Sequence, residues 1–125
     1  MKPEIVKFPG TFPVTGNNPS PAVKSTSVGR EQTVAMRFTA GATPTVTITI
    51  QGSFDGGTGT PSSWSTIPIR DPTVASDSSV LTLVKTATGW VHAVITAGWW
   101  KYIRISLSAN LNMTLEEAWL VESSA

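Results

Sequence analysis

The 125-residue sequence contains no cysteine and a single histidine, His92. The chain therefore has no disulfide, no thiolate nucleophile and too few nitrogen and sulfur ligands for a zinc site. Catalysis by His92 would need a positioned partner and an oxyanion site, and no motif supplies either of them. We interpret His92 as a structural or surface residue, and we expect neither a metal nor any other cofactor.

Charged residues are also scarce. They make up 14% of the chain, whereas an ordinary globular domain has roughly 25%. Nine basic and eight acidic residues give a net charge of +1, without the basic stripe of a nucleic-acid-binding protein. Most carboxylates lie in turn contexts, and Glu116 and Glu117 would point to opposite faces of a strand, so no catalytic pair of acids is evident. We expect neither an enzyme nor a nucleic-acid-binding protein.

Long apolar runs and ligand-binding loops are absent as well. No segment approaches the roughly 18 apolar residues of a membrane helix, and residues 1–7 lack the apolar region of a signal peptide. The glycine-rich segment Asp55–Thr60 has neither the alternating acids of a calcium loop nor the lysine of a phosphate loop. We therefore expect a protein made in the cytoplasm, without membrane contact, that folds as one domain.

Alternation of apolar and polar residues is the dominant pattern. Val46, Ile48 and Ile50 alternate with threonines, which predicts a strand with one buried and one solvated face. Similar short segments recur at intervals of roughly ten residues, without helical patterns between them, which favours an antiparallel sandwich or barrel. We predict an all-β fold, an antiparallel two-sheet β-sandwich with jelly-roll-like connections. The predicted strands are Ala22–Val28, Gln32–Thr39, Thr45–Gln51, Trp64–Ile69, Val80–Val84, Trp90–Thr96, Trp99–Ser108 and Met113–Glu122, although Glu116 and Glu117 could instead begin a helical turn.

The first 21 residues differ from the rest, because prolines recur there at short intervals. We predict an extended N-terminal arm over 1–21, followed by a β-sandwich domain over 22–125. The arm is either a loose terminus or a segment that orders against a partner, and Glu4–Phe8 could pair as an edge strand. Its apolar residues Ile5, Phe8 and Phe12 are candidate partner-binding residues.

Five tryptophans are the second unusual feature. We expect Trp64, Trp90 and Trp119 to fill the core. Trp99 and Trp100 are adjacent, and on a strand they would face opposite sides, so one of them leaves the core. Tryptophan is common at binding surfaces, and Trp99 and Trp100 are therefore further candidate partner-binding residues.

The order of four segments resembles small virion proteins of tailed bacteriophages, in which a G-S-x-D-G hairpin precedes a tryptophan strand and a Y-x-R strand. The segments are Ile50–Gly56, Trp64–Ile67, Trp100–Ile105 and Met113–Val121. The resemblance covers residues 45–121 and implies a β-sandwich component on the exterior of the virion capsid. It is most like a head decoration (cementing) protein, often a homotrimer, that binds the major capsid protein and stabilises the head lattice.

An alternative function remains open, because similar hairpins occur in bacterial sugar-binding and adhesion sandwiches. The chain would then be a carbohydrate-binding or host-adhesion module of a phage tail. Such a module needs an exposed aromatic platform with polar groups nearby, which Trp99 or Trp100 and the loop Gly52–Ser63 would supply.

Overall fold

The computed structural model describes residues 4–10, 12–17, 23–25, 31–54, 64–74, 79–98 and 100–123. Among them the regular elements are nine β-strands, which belong to one antiparallel sheet, and no helix. The prediction of an all-β antiparallel fold is confirmed. The strands are β1 (Glu4–Lys7), β2 (Val14–Thr15), β3 (Val23–Lys24), β4 (Glu31–Ser53), β5 (Ser65–Thr66), β6 (Ile69–Arg70), β7 (Leu83–Lys85), β8 (Gly89–Ile95) and β9 (Tyr102–Ser123).

Two long strands, β4 and β9, form the centre of the sheet and pair with each other along nearly their whole length. The short strands β1, β2 and β3 pair with the other edge of β9. On the opposite side, β8, β7 and β5 pair with β4, and β6 pairs with β8. Each long strand spans two of the predicted strands, because the pairing of β4 with β9 resumes beyond the segments Gly41–Pro44 and Asn110–Asn112.

The pairing between β4 and β9 is irregular near the middle of both strands. Ala40 is opposite Met113 and Thr45 is opposite Leu111, so residues 41–44 of β4 face Asn112 alone. Thr43 and Asn112 have positive φ values of 47° and 55°, and the Asn112 amide donates a hydrogen bond to the Ala42 carbonyl (2.6 Å). The residues between the predicted strands therefore form a large bulge inside the pair of long strands.

The sheet folds back on itself around this bulge, because the two ends of β9 come together. The Ser25 backbone N–H donates to the Lys101 carbonyl (2.8 Å), and the Ser25 hydroxyl donates to the Glu122 carboxylate. A straight strand would hold Lys101 and Glu122 about 70 Å apart. Since both meet Ser25, the two halves of the sheet face each other, and their inward side chains share one hydrophobic core.

A second bulge changes the inward face of β9. Arg37 is opposite Glu117 and Phe38 is opposite Leu115, so Glu116 is an extra residue in β9. Met113 and Leu115 are buried before the bulge, and Ala118, Leu120 and Glu122 are buried after it. Trp119 and Val121 therefore face the opposite side from Met113 and Leu115, and Glu116 and Glu117 lie in a strand, not in a helical turn.

The described part of the arm belongs to the sheet. β1 pairs with residues 119–122 of β9, which confirms the edge strand predicted over Glu4–Phe8. Phe8 is 1% exposed, and its backbone N–H donates to the Ala118 carbonyl (3.0 Å). Phe12 and Val14 are partly buried against the same core. The described residues of 1–21 and of 22–125 thus share one sheet and one core.

Candidate contact surface

The structure separates the five predicted partner-binding residues. Ile5 is exposed, Phe8 is buried in the core, and Phe12 is partly buried against it. Trp100 is partly buried, and Trp99 lies outside the described residues. Among the four residues that the structure describes, Ile5 therefore has the most open side chain.

Trp100 is held firmly by its own chain. Its backbone N–H donates to the Gln32 side-chain oxygen (3.1 Å), and the Gln32 amide donates to the Trp100 carbonyl (3.0 Å). The indole lies directly on the backbone of Gly52, where an added Cβ would be 2.5 Å from Trp100 Cδ2. Its ring also stacks on Phe54, with centroids 4.7 Å apart. Trp100 and the beginning of the Gly52–Ser63 loop are therefore neighbours, and residues 55–63 lie outside the described residues.

The tryptophans expected in the core lie elsewhere. Trp90 is 49% exposed, and Trp64 and Trp119 are half-buried and outside the core cluster. Val91 and Ala93 are buried on the inward face of β8, so Trp90 points outward. The bulge at Glu116 turns Trp119 outward in the same way. The prediction that these three side chains fill the core is wrong.

Six side chains on this outward face form what we call the outer platform. They lie in two rows across the strands, as the Cα register shows. In the first row Trp90 and Glu117 flank Arg37, and in the second row His92, Trp119 and Lys7 lie on either side of Ala35. The outer platform consists of Lys7, Arg37, Trp90, His92, Glu117 and Trp119.

The outer platform is nearly continuous. Ala35 is only 7% exposed although it belongs to the outward-facing row, because the larger His92 and Trp119 lie on either side of it. The rings of Trp90 and His92 are almost parallel, with an interplanar angle of 11° and centroids 6.4 Å apart. These residues present a broad aromatic surface that faces away from the core.

Glu117 fixes the positions of the neighbouring platform side chains. Its Oε1 accepts a hydrogen bond from Trp119 Nε1 (3.0 Å), and its Oε2 accepts two from Arg37 (3.2 and 3.0 Å). Lys7 Nζ lies 5.7 Å from the centre of the Trp119 ring. The hydrogen bond from Trp119, followed by that from Arg37, lowers the pKa of the Glu117 carboxyl below its ordinary value. The carboxylate therefore stays ionised at neutral pH and orders the surface around it.

An ion pair outside the outer platform, with Asp71 buried and Lys85 partly buried, stabilises the fold. Asp71 is 6% exposed and pairs with Lys85, and it accepts hydrogen bonds from the Thr73 backbone (2.9 Å) and hydroxyl (2.6 Å). Burial alone would raise the pKa of Asp71. The hydrogen bonds from Lys85 and Thr73 outweigh this effect and hold the pKa at about 2. Asp71 therefore secures the turn between β6 and β7.

Arg104 makes a further cation–π contact. Its guanidinium lies 4.3 Å from the centre of the Trp64 ring, and its Nε donates to the Gln51 side chain (2.7 Å). Burial lowers the pKa of this guanidinium. Trp64 is thus covered by a side chain of its own chain, unlike Trp90.

Comparisons of the chain with known protein families, with curated proteins and with solved structures find no match. In the part of the chain that the structure describes, no group of three or more His, Cys, Asp or Glu side chains is arranged to hold a metal ion. No helix in that part is long and apolar enough to cross a membrane. The function must therefore be argued from the surface itself.

Sequence reasoning missed the outer platform although one signal for it was present. Val91, Ala93 and Ile95 alternate with Trp90 and His92. One face of β8 therefore carries aliphatic side chains and the other carries large aromatic ones, and either face was a candidate for the core. Nothing in the sequence indicated that Trp119 would join Trp90, since that depends on the bulge at Glu116.

Proposed function

We propose that this protein is a structural component of a tailed-phage virion that binds the outer capsid surface and cements the head lattice. The outer platform is the observation that carries the proposal, together with the resemblance over residues 45–121. The partner is the major capsid protein, and the protein acts by binding, without catalysis or a cofactor. Its place of action is the capsid exterior.

The composition and order of the outer platform support a protein contact. Tryptophan and arginine are the residue types that most often dominate the energy of protein interfaces. Arg37, Glu117 and Trp119 already hold one another in place, so their binding to a partner costs little side-chain entropy.

The proposal also includes the arrangement of the sheet in two layers and the assembly of the protein as a homotrimer. We infer that the two halves of the folded sheet act as the two layers of a sandwich with jelly-roll-like connections. The outer platform then lies on the outside of one layer, where a flat capsid surface can reach it. Assembly as a homotrimer would present three platforms at once and would increase the total buried area.

Trp90 offers a direct test, because it is half exposed and its described ring contact is with His92 alone. Co-sedimentation of the Trp90→Ala variant with capsids that lack the protein should show roughly 30-fold weaker binding, as for loss of a contact of about 2 kcal/mol. Val84→Ala is the matched control, since Val84 is 60% exposed and lies outside the platform. Undiminished binding of Trp90→Ala would contradict the proposal.

Contact between the N-terminal arm and the capsid is better tested by a point substitution than by deletion. Removing residues 1–21 would also remove the buried Phe8 from the core, so loss of binding would not report on contact. Ile5→Ser changes an exposed side chain and leaves Phe8 in place. Weaker co-sedimentation of Ile5→Ser would show that the arm touches the capsid, and unchanged binding would show that it does not.

The second candidate function is carbohydrate binding by a host-adhesion module of a phage tail. The outer platform has the half-exposed indole of Trp90 beside the polar side chains of His92, Arg37 and Glu117, which suits stacking and hydrogen bonding to a sugar ring. A glycan array should then give a signal that Trp90→Ala abolishes, and wild-type protein should not co-sediment with capsids. The opposite pair of results favours cementing.

A further inference from the structure

The described residues of the N-terminal segment pair with the outer edge of β9 at three places along its length. β1 pairs with residues 119–122, β2 with residues 114–115 and β3 with residues 102–103. Between these contacts, the Asn110 side chain donates to the Gly16 carbonyl (2.9 Å). The segment therefore follows β9 around its bend.

This segment, residues 4–25, also completes the body of the protein. Phe8 and Val23 are 1% and 2% exposed and belong to the core. Lys7 contributes to the outer platform above Trp119, and Ser25 binds Glu122. Without the segment, β9 would have an unpaired edge and the core would have open cavities. The body thus requires such a segment to be bound.

The attachment of the segment to β9 is short where the structure describes it. Among residues 4–10, 12–17 and 23–25, the pairing consists of one strand of four residues and two strands of two residues. Pro9 and Pro13 cannot donate backbone hydrogen bonds between them. In the described part of the chain, its strands pair with β9 alone, and the sequence continues to β4 through residues 26–30. The same contacts can therefore form whether or not the segment and β9 belong to one chain.

We propose that residues 4–25 exchange between copies of this protein, so that the segment of one copy binds the β9 edge of another. Exchange of an identical element keeps every contact of the closed form and is a low-cost route to an oligomer. Each copy then completes the core and the outer platform of its neighbour. This proposal does not depend on capsid binding.

Because the chain contains no cysteine, only introduced cysteines can form disulfides, and these report which chains are paired. Ile5 and Val121 are opposite each other in the register, and neither belongs to the core cluster. Single variants Ile5→Cys and Val121→Cys are denatured, mixed, refolded together and oxidised. On a non-reducing gel, exchange should produce a covalent heterodimer with twice the 13.2 kDa mass of the chain.

The matched control pair is Thr33→Cys with Val94→Cys, which are opposite each other in β4 and β8 and do not involve the exchanging segment. This pair should give no heterodimer. A double variant, Ile5→Cys with Val121→Cys in one chain, should form oligomers linked by disulfides. Closure of the double variant within single chains, without a heterodimer in the mixture, overturns the proposal. Equal heterodimer in the control pair, or no disulfide in any sample, overturns it too.

Discussion

Replacement of Phe8 by alanine tests whether the N-terminal segment is part of the folded core. Phe8 is 1% exposed, and it is the deepest side chain of the segment 4–10, in which Glu4, Ile5 and Lys7 are exposed. The Phe8 backbone N–H also joins β9 through the Ala118 carbonyl. The ring therefore anchors β1 to the rest of the sheet.

The expected cost follows from this burial. Truncation of a fully buried phenylalanine costs about 3–5 kcal/mol, since the transfer free energy is lost and a cavity remains. We expect the upper half of this range for Phe8→Ala, because release of β1 also leaves the adjacent β9 edge without its partner. A typical domain has about 5–15 kcal/mol of total stability, so the substitution should remove between about a quarter and all of that stability.

Equilibrium unfolding in urea, followed by tryptophan fluorescence, measures this cost. Ile5→Ala is the matched control, because Ile5 lies in the same strand and is 59% exposed. The control should change the free energy of unfolding by less than about 0.5 kcal/mol. If Phe8→Ala costs no more than Ile5→Ala, the segment is a loose terminus and our account of the sheet edge is refuted.

Three other substitutions probe separate parts of the fold. Gly52→Ala should lower the free energy of unfolding by about 1–3 kcal/mol and shift the fluorescence maximum, because the new Cβ displaces the Trp100 indole. Asp71 has a folded pKa of about 2 against an ordinary 3.8, so it contributes about 2 kcal/mol above pH 3.8 that is lost as the pH falls through 2. Asp71→Asn should therefore cost that amount at pH 7 and flatten the stability curve between pH 4 and 2, and a curve unchanged by the substitution would contradict this. Trp119→Phe removes the main hydrogen bond to Glu117, so the pKa of Glu117 should rise toward its ordinary value in an NMR titration, whereas an unchanged pKa would show that the bond is absent.

The strand pattern of this protein was predictable because alternation is a local property. The inward side chains of the Thr45–Gln51 segment and of β8 are buried as their spacing indicates. The edge strand at Glu4–Phe8 was also predicted, and its pairing with β9 confirms that prediction. Asn112 lies between two predicted strands and has a positive φ, and it forms part of a bulge within the pair of long strands.

The contact surface was not predictable to the same degree. Trp90 and Trp119 are 29 positions apart in the sequence, and they share a face only because β8 and β9 both flank β4. Large aromatic side chains occur both in cores and on exposed faces. The identity of Trp90 and Trp119 alone therefore did not decide whether they would be buried or exposed. For Trp119 the decision came from one extra residue, Glu116, in the pairing with β4.

Local composition by itself determined that this chain forms strands, because the side-chain period acts over a few neighbouring positions. The tertiary structure alone decided which face became the core, since the ends of β9 had to meet at Ser25 and the bulges had to set the phase on either side of the bend. Because of this long-range pairing, three tryptophans that were expected in the core lie outside it, either exposed or covered by another side chain. They are Trp64, Trp90 and Trp119. That outcome depends on register, which no short stretch of sequence encodes.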